Sequence, residues 1–320
     1  MQAAAFEVTH HQFLDSSGRP VQPLPEFAHD GKTLRELYRA MVLTRTFDTK
    51  AIALLRSSRL GTYPSSLGQE AVSVGLAAAM AAEDVLLPAF REHGAQLWRG
   101  VTPTEMFLYW GGDERGSDFA VPREDLPNSV PIGSQAPQAV GNWRVPVVFV
   151  IANNQWAISV PRAAQTAAQT LAQKAIAAGI PGEQVDGNDV IAVRQIVGEA
   201  LRVARTGGGP HVVEALTYRL SNHTTADSAK RYRDEAAVAE AWKHEPIARL
   251  RAYLTAQDVW SEDDERRLAD ECAAQIEQAA EAYLAMEPAP AETVFDYLYE
   301  TLPAPLAWQR DQVVRGHHHG

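Results

Sequence analysis

Two adjacent amides, Asn153 and Asn154, follow the apolar run Val147-Val148-Phe149-Val150-Ile151. The run is rich in β-branched residues and reads as a strand buried on both faces of a parallel sheet. Polar groups just past the carboxyl end of such a strand sit where open α/β sheets bind ligands. Tandem asparagines are also common in turns. Arg91, in Phe90-Arg91-Glu92-His93, carries a planar fork that can clamp phosphate with two parallel hydrogen bonds. Its alternative is a surface ion pair with Glu92 or Asp84. His93 reads as a polar wall of a site or as a packed histidine. His223, in Ser221-Asn222-His223-Thr224, can donate to an anion or move a proton near neutrality, and otherwise is a surface loop residue.

The elements that position these groups alternate. Residues 1–32 carry little periodicity, with Pro20, Pro23 and Pro25 spaced through them, and read as an extended arm, frayed by default. Leu34, Leu37, Met41, Leu43 and Phe47 then recur at helical spacing behind Thr33 as N-cap, and the helix ends near Gly61. After the turn Gly61-Thr62-Tyr63-Pro64, Gly68-Gln69-Glu70-Ala71 opens a second, alanine-rich helix to about Ala82. Its acid lies near the positive dipole end. Leu86-Leu87-Pro88-Ala89-Phe90 is a short buried strand or turn. Thr102-Pro103-Thr104-Glu105 is a capping box with proline at the first helical position.

Past the asparagines, 163–178 reads as helix and Gly179-Ile180-Pro181-Gly182 as its break. Val185-Asp186 ends a strand, Asp189 caps a helix over 189–206, and 211–219 is a further strand. This β-α-β order predicts a parallel sheet flanked by helices. From Asp234 the chain is mostly helical. Trp242, Ile247, Leu250 and Leu254 form one apolar face, and Leu268, Ile276 and Tyr283 another. After Pro288 the pattern turns irregular. His317-His318-His319 could bind metal but reads as a tag remnant or a disordered end.

Bulk properties narrow the function. The formal net charge of −11 argues against nucleic acid, where a basic surface is expected. The single cysteine, Cys272, excludes an internal disulfide framework and fits a reducing compartment. No stretch reaches the apolar length of a membrane span, and the first residues lack a secretory pattern. A cytoplasmic enzyme or scaffold is expected.

The phrases Gly68-Gln69-Glu70-Ala71, Phe90-Arg91-Glu92-His93, Pro131-Ile132-Gly133 and Asn153-Asn154-Gln155-Trp156-Ala157-Ile158-Ser159 together resemble the alpha subunit of the thiamine-diphosphate-dependent 2-oxo acid dehydrogenases. The resemblance runs from about Leu34 to Leu254. It implies an α/β thiamine-diphosphate-binding fold with a helical C-terminal region. Residues 33–233 would form the cofactor-binding domain, 234–300 its helical C-terminal part, and 301–320 an irregular tail.

The resemblance also implies roles. Arg91 would contact the cofactor diphosphate, with Phe90 where relatives often carry tyrosine. Ile132 would wedge between the cofactor rings, with backbone groups from Val130 and Gly133. The Asn154 side chain and the Trp156 carbonyl would ligate Mg2+. His223 would lie near the phosphates and the reacting centre, with Thr224 where some relatives are phosphorylated. The implied reaction is decarboxylation of a 2-oxo acid with acyl transfer to the lipoyl group of an acyltransferase component. The implied partner is a beta subunit in a heterotetramer of two alpha and two beta chains. Gly61-Thr62-Tyr63-Pro64 favours a pyruvate-type member, with branched-chain or acetoin substrates as alternatives. One departure is large. The family motif opens with Gly-Asp-Gly, which is absent here, and Gly141 runs directly into Asn142. A strand and helix belonging to a unit of about 30 residues or more are expected between them in relatives. Either this sequence is only part of a longer chain, or the gene carries an internal deletion, or the chain is a divergent, non-catalytic scaffold that still binds a beta chain.

Overall fold

The computed structural model describes residues 5–116, 144–296 and 299–317. Val130, Ile132 and Gly133, and the junction of Gly141 with Asn142, lie outside the described residues.

In chain order, β1 (His10–His11) precedes α1 (Gly31–Arg56), α2 (Glu70–Ala79), α3 (His93–Trp98) and α4 (Pro103–Gly111). β2 (Val148–Asn153) leads into the short antiparallel pair β3 (Trp156–Ala157) and β4 (Val160–Pro161). Then come α5 (Arg162–Gln165), α6 (Gln173–Ala177), β5 (Gly182–Asp186), α7 (Val190–Val203) and β6 (His211–Leu216). The last helices are α8 (Glu235–Trp242), α9 (Pro246–Ala256), α10 (Glu262–Leu284) and α11 (Ala304–His317).

The main sheet is parallel throughout, in the order β1-β5-β6-β2. Its centre is β6, whose His211 to Ala215 are all buried. α7 bridges β5 and β6 and packs on α2. Gly75 allows that approach, since a Cβ there would lie 2.8 Å from the Val193 side chain. The apolar stripe of α1 splits between two cores. Leu34, Leu37 and Met41 join Leu250, Leu254 and Leu268, while Phe47 and Ala51 join Phe107, Val193 and Ile276. No helix among the described residues is long and apolar enough to cross a membrane.

Several expectations needed correction. The strand ending at the asparagines is not buried on both faces: Val148 to Ala152 are half-buried, and only Asn153 is buried. Among the described residues β2 pairs with β6 alone. From His10 on, the N-terminal arm is not frayed. His10 and His11 extend the sheet beside β5, and the Phe13 and Leu14 amides each donate to Asp189 Oδ2 at 2.7 Å. Two polar residues in a strand leave no hydrophobic signature, which is why the pattern missed it. The first helix is capped by Asp30, not Thr33, with Asp30 accepting from the Lys32 and Thr33 amides, and it ends at Arg56. Residues 163–178 form two short helices rather than one. Trp242 is exposed rather than part of an apolar face. Within the tail, Ala304–His317 form α11 rather than an irregular stretch. The capping box at Thr102 and Glu105 and the Asp189 N-cap both form.

Candidate active site

The turn between Tyr63 and Gln69 is the junction of the site. Gly68 adopts φ +87°, and a Cβ there would lie 2.7 Å from the Tyr218 carbonyl, so only glycine lets this turn close on the strand end. Thr217 Oγ1 donates to the Gly68 carbonyl at 2.7 Å and the Leu220 amide to the Leu67 carbonyl at 3.3 Å. Both contacts bind the turn to the segment leaving β6. From the other side α1 presents Asp48 and Arg45, three residues apart and hence on one face. Asp48 accepts from the Ser65 hydroxyl at 2.6 Å, the Ser66 amide at 2.6 Å and the Tyr63 hydroxyl at 2.9 Å. Arg45 Nε donates to the fully buried Glu70 at 2.8 Å, and Glu70 accepts the Gly68 amide at 3.0 Å. Burial pushes the Glu70 carboxyl upward and Arg45 opposes that shift.

Arg91 reaches this turn from the opposite side. It is 7% exposed. Its Nη1 donates to the Ser65 carbonyl, and its Nη2 donates to the His223 carbonyl at 2.7 Å and meets His223 Nδ1 at 3.0 Å. The surface ion-pair alternative is excluded. Asp84 binds Arg205, and Glu92 accepts the Arg91 backbone amide rather than its guanidinium. Among the described residues the Arg91 guanidinium has no carboxylate partner. Burial, and then the charge of Arg219, push it down to about 10.

His223 is part of the same contact. Arginine only donates, so Nδ1 is the bare nitrogen and the neutral ring carries its proton at Nε2. Burial, Arg91 and Arg219 all lower its pKa, which keeps the ring neutral near pH 7. Its amide donates to Asp227 at 2.8 Å, which fixes the loop. Phe90 is 50% exposed, its ring edge-on to His223 at 6.5 Å and stacked under Arg91 at 5.1 Å.

Asn153 and Asn154 divide their work. Asn153 points inward and donates to buried Glu214. Asn154 Nδ2 donates to Gln69 Oε1 at 3.1 Å, so this amide also joins the turn. Its Oδ1 accepts the Trp156 amide at 3.2 Å, and its carbonyl accepts the Arg219 amide at 3.2 Å. Arg91 and Asn154 therefore bond the two ends of one short turn, at Ser65 and Gln69, and His223 reaches it through Arg91.

His93 lies one layer behind that surface. It is 1% exposed, stacked on Tyr63 at 5.0 Å, with Nδ1 3.0 Å from the Tyr63 hydroxyl. Burial and then Arg91 push it down to about 3. It is a packed, neutral histidine and lines no open wall.

Three of the buried side-chain nitrogens without a partner belong to residues bonded to, or next to, Asn154. Gln69 Nε2, Trp156 Nε1 and Arg219 Nε are buried and have no hydrogen-bond partner. All three are nitrogens that carry protons, so what they lack is an acceptor. A diphosphate carries acceptor oxygens of the kind these nitrogens lack. The metal half fits less fully. Asn154 Oδ1 and the Trp156 carbonyl are suitable oxygens, but no group of three His, Cys, Asp or Glu side chains among the described residues could hold an ion. The sequence points to no role for Asp48 or Arg219, and Gln69 enters only within a family phrase. The Gly-Gln-Glu-Ala phrase was a usable signal for Gln69. Nothing local in the sequence marks the other two.

The model of the family described as "Dehydrogenase E1 component" matches residues 38–142 and 138–291. The two pieces meet at the Gly141-Asn142 junction. The pyruvate dehydrogenase E1 component subunit alpha of Staphylococcus epidermidis is 36% identical over 337 residues, covering 93% of this chain and 90% of that protein. The alignment is longer than the 320-residue chain, so it opens gaps in this sequence. The 3-methyl-2-oxobutanoate dehydrogenase subunit alpha of Mycobacterium tuberculosis is 36% identical over 318 residues, covering 88% and 87%. A Staphylococcus aureus pyruvate dehydrogenase alpha subunit is also 36% identical, with coverage of 93% and 90%. The chain belongs to the dehydrogenase E1 component family, among the alpha subunits of 2-oxo acid dehydrogenases.

Proposed function

We propose that Arg91, His223 and the turn 65–69 seat the diphosphate of thiamine diphosphate in a pyruvate-type enzyme. The direct contact of Arg91, a buried guanidinium with no carboxylate hydrogen-bonded to it among the described residues, with His223 carries this reading. When bound, thiamine diphosphate supplies the nucleophilic carbon and the electron sink for decarboxylating a 2-oxo acid. Arg91 neutralises the anion, and burial strengthens that attraction by excluding water. His223 holds a proton at Nε2 and presents it as a donor. Asn154 Oδ1 and the Trp156 carbonyl offer hard oxygens to Mg2+, with Gln69 fixing the Asn154 amide. Phe90 covers the rim. Val130, Ile132 and Gly133 are assigned to the aminopyrimidine end on the family resemblance. The partner would be a beta subunit, and the acyl acceptor the lipoyl group of an acyltransferase.

Pyruvate is preferred over branched-chain substrates on the phrase Gly61-Thr62-Tyr63-Pro64, although the relatives include both substrate types. A second reading, a scaffold that binds beta without turnover, draws on the missing Gly-Asp-Gly and on the split family match. Co-expression with candidate beta chains, assayed on pyruvate and 3-methyl-2-oxobutanoate, tests both. Faster turnover of pyruvate supports the first reading. A stable complex that decarboxylates neither substrate supports the scaffold.

A further inference from the structure

We propose that Asp48 is a positioning residue for the anion pocket, acting through the Ser65 carbonyl that holds Arg91. This rests on the reading of Arg91 as the diphosphate clamp. Asp48 lies on α1, is 2% exposed, and hydrogen-bonds neither Arg91 nor His223, although its charge is near enough to act on Arg91 directly. A buried carboxylate is costly unless donors surround it. Here all the donors come from Tyr63, Ser65 and Ser66: two hydroxyls and an amide within 2.9 Å, and the Ser66 hydroxyl at 3.3 Å. The acid therefore fixes both residues on either side of the Ser65 carbonyl, and that carbonyl takes one arm of the Arg91 fork.

The other arm of the fork meets a loop. His223 stands between β6 and the C-terminal helices, and it contributes a carbonyl and a ring nitrogen but no counter-charge. With no carboxylate on Arg91 among the described residues, two carbonyls and one imidazole set the guanidinium plane. Of these, only the Ser65 carbonyl is tied to α1 by a buried acid. Tyr63 gives Asp48 a second route. Its hydroxyl hydrogen goes to Asp48, so His93 Nδ1 must donate to the Tyr63 oxygen, which locks the ring stacked on Tyr63, close enough to feel the Arg91 charge. A purely structural acid would keep α1 against the turn and leave the fork free to adopt the same plane without it.

The test titrates the full chain with inorganic pyrophosphate, comparing wild type, Arg91→Ala, Asp48→Asn and Ser65→Ala, with thermal unfolding followed in parallel. Side-chain resonances of 15N-labelled arginine report the Arg91 fork, assigned by their loss in Arg91→Ala. The expected result is roughly tenfold weaker binding in Asp48→Asn, a smaller loss in Ser65→Ala, and a broadened Arg91 signal in both. Ser65→Ala keeps the carbonyl and removes one donor, so it remains informative if Asp48→Asn does not fold. Wild-type affinity and an unchanged Arg91 signal in whichever variants fold overturn the positioning role while the clamp stands. Equal binding by wild type and Arg91→Ala overturns the clamp, and the inference with it.

Discussion

Arg91 Nη2 lies 3.0 Å from Nδ1 and 2.7 Å from the carbonyl oxygen of His223, 132 residues further along the chain. One arm of the fork thus sets the orientation and the tautomer of the imidazole. The ring is left with a proton at Nε2 and a bare nitrogen that is already occupied.

A first prediction concerns the fork itself. Arg91→Lys keeps the charge but cannot hold the Ser65 carbonyl and His223 together. Diphosphate affinity should fall by about 1.5–3 kcal/mol, the range for charge-assisted hydrogen bonds. Titration with thiamine diphosphate measures it, and affinity equal to wild type would contradict the two-armed role.

Gln69 gives a second. Gln69→Leu leaves the Asn154 Nδ2 donor without its partner. An unsatisfied buried donor costs about 1–3 kcal/mol, and the Asn154 oxygen loses its fixed direction. Mg2+-dependent affinity should drop, while Mg2+-independent binding of pyrophosphate changes less. Equal losses in the two measurements would remove Gln69 from the metal side of the site.

The buried pair Arg45–Glu70 should govern stability. Glu70 is fully buried, and Arg45 also bonds Glu245 at 2.7 Å, so one guanidinium links α2 to the cap of α9. Arg45→Met strands a buried carboxylate. Breaking such a pair costs about 3–5 kcal/mol, to be read from urea unfolding. A loss below 1 kcal/mol would mean the pair is solvated in solution.

His93 sets a pH dependence. Its folded-state pKa is depressed to about 3 from an ordinary value of 6.5. Below 6.5 the unfolded chain takes up a proton that the folded chain refuses. The stability due to His93 is therefore complete above 6.5 and is lost as pH falls toward 3. The slope is at most about 1.4 kcal/mol per pH unit. Buried Asp48 and Glu70 have raised pKa values and bend the profile the other way, so the wild-type curve must be compared with His93→Gln. The difference between the two curves should steepen between pH 6.5 and 5, and parallel curves would show that His93 is hydrated.

Much of the architecture was legible because periodicity and caps are local. The capping box at Thr102, the Asp189 cap and the β-α-β order over 182–216 all appear in the sequence and form as read. What escaped is non-local. His10-His11 looks like loop until the edge of β5 is there to receive it. Thr33 has the chemistry of a cap, yet Asp30 takes that position and also accepts the Thr33 hydroxyl. The site divides in the same way. Arg91, His223 and Asn154 stood out by residue type and family phrase. Asp48, one polar residue on a helix stripe, stands out only once Tyr63, Ser65 and Ser66 close over it. His93 matched a family phrase, but burial makes it a support and no open wall of the site.

The central claim, that Arg91 and His223 seat a diphosphate, is tested most directly by calorimetry. The full chain, with a beta chain present, is titrated with thiamine diphosphate and Mg2+, and Arg91→Ala is run beside it. Saturable binding by the wild-type complex that disappears in the variant is the predicted result. Indistinguishable isotherms, or no binding heat in either, would contradict it.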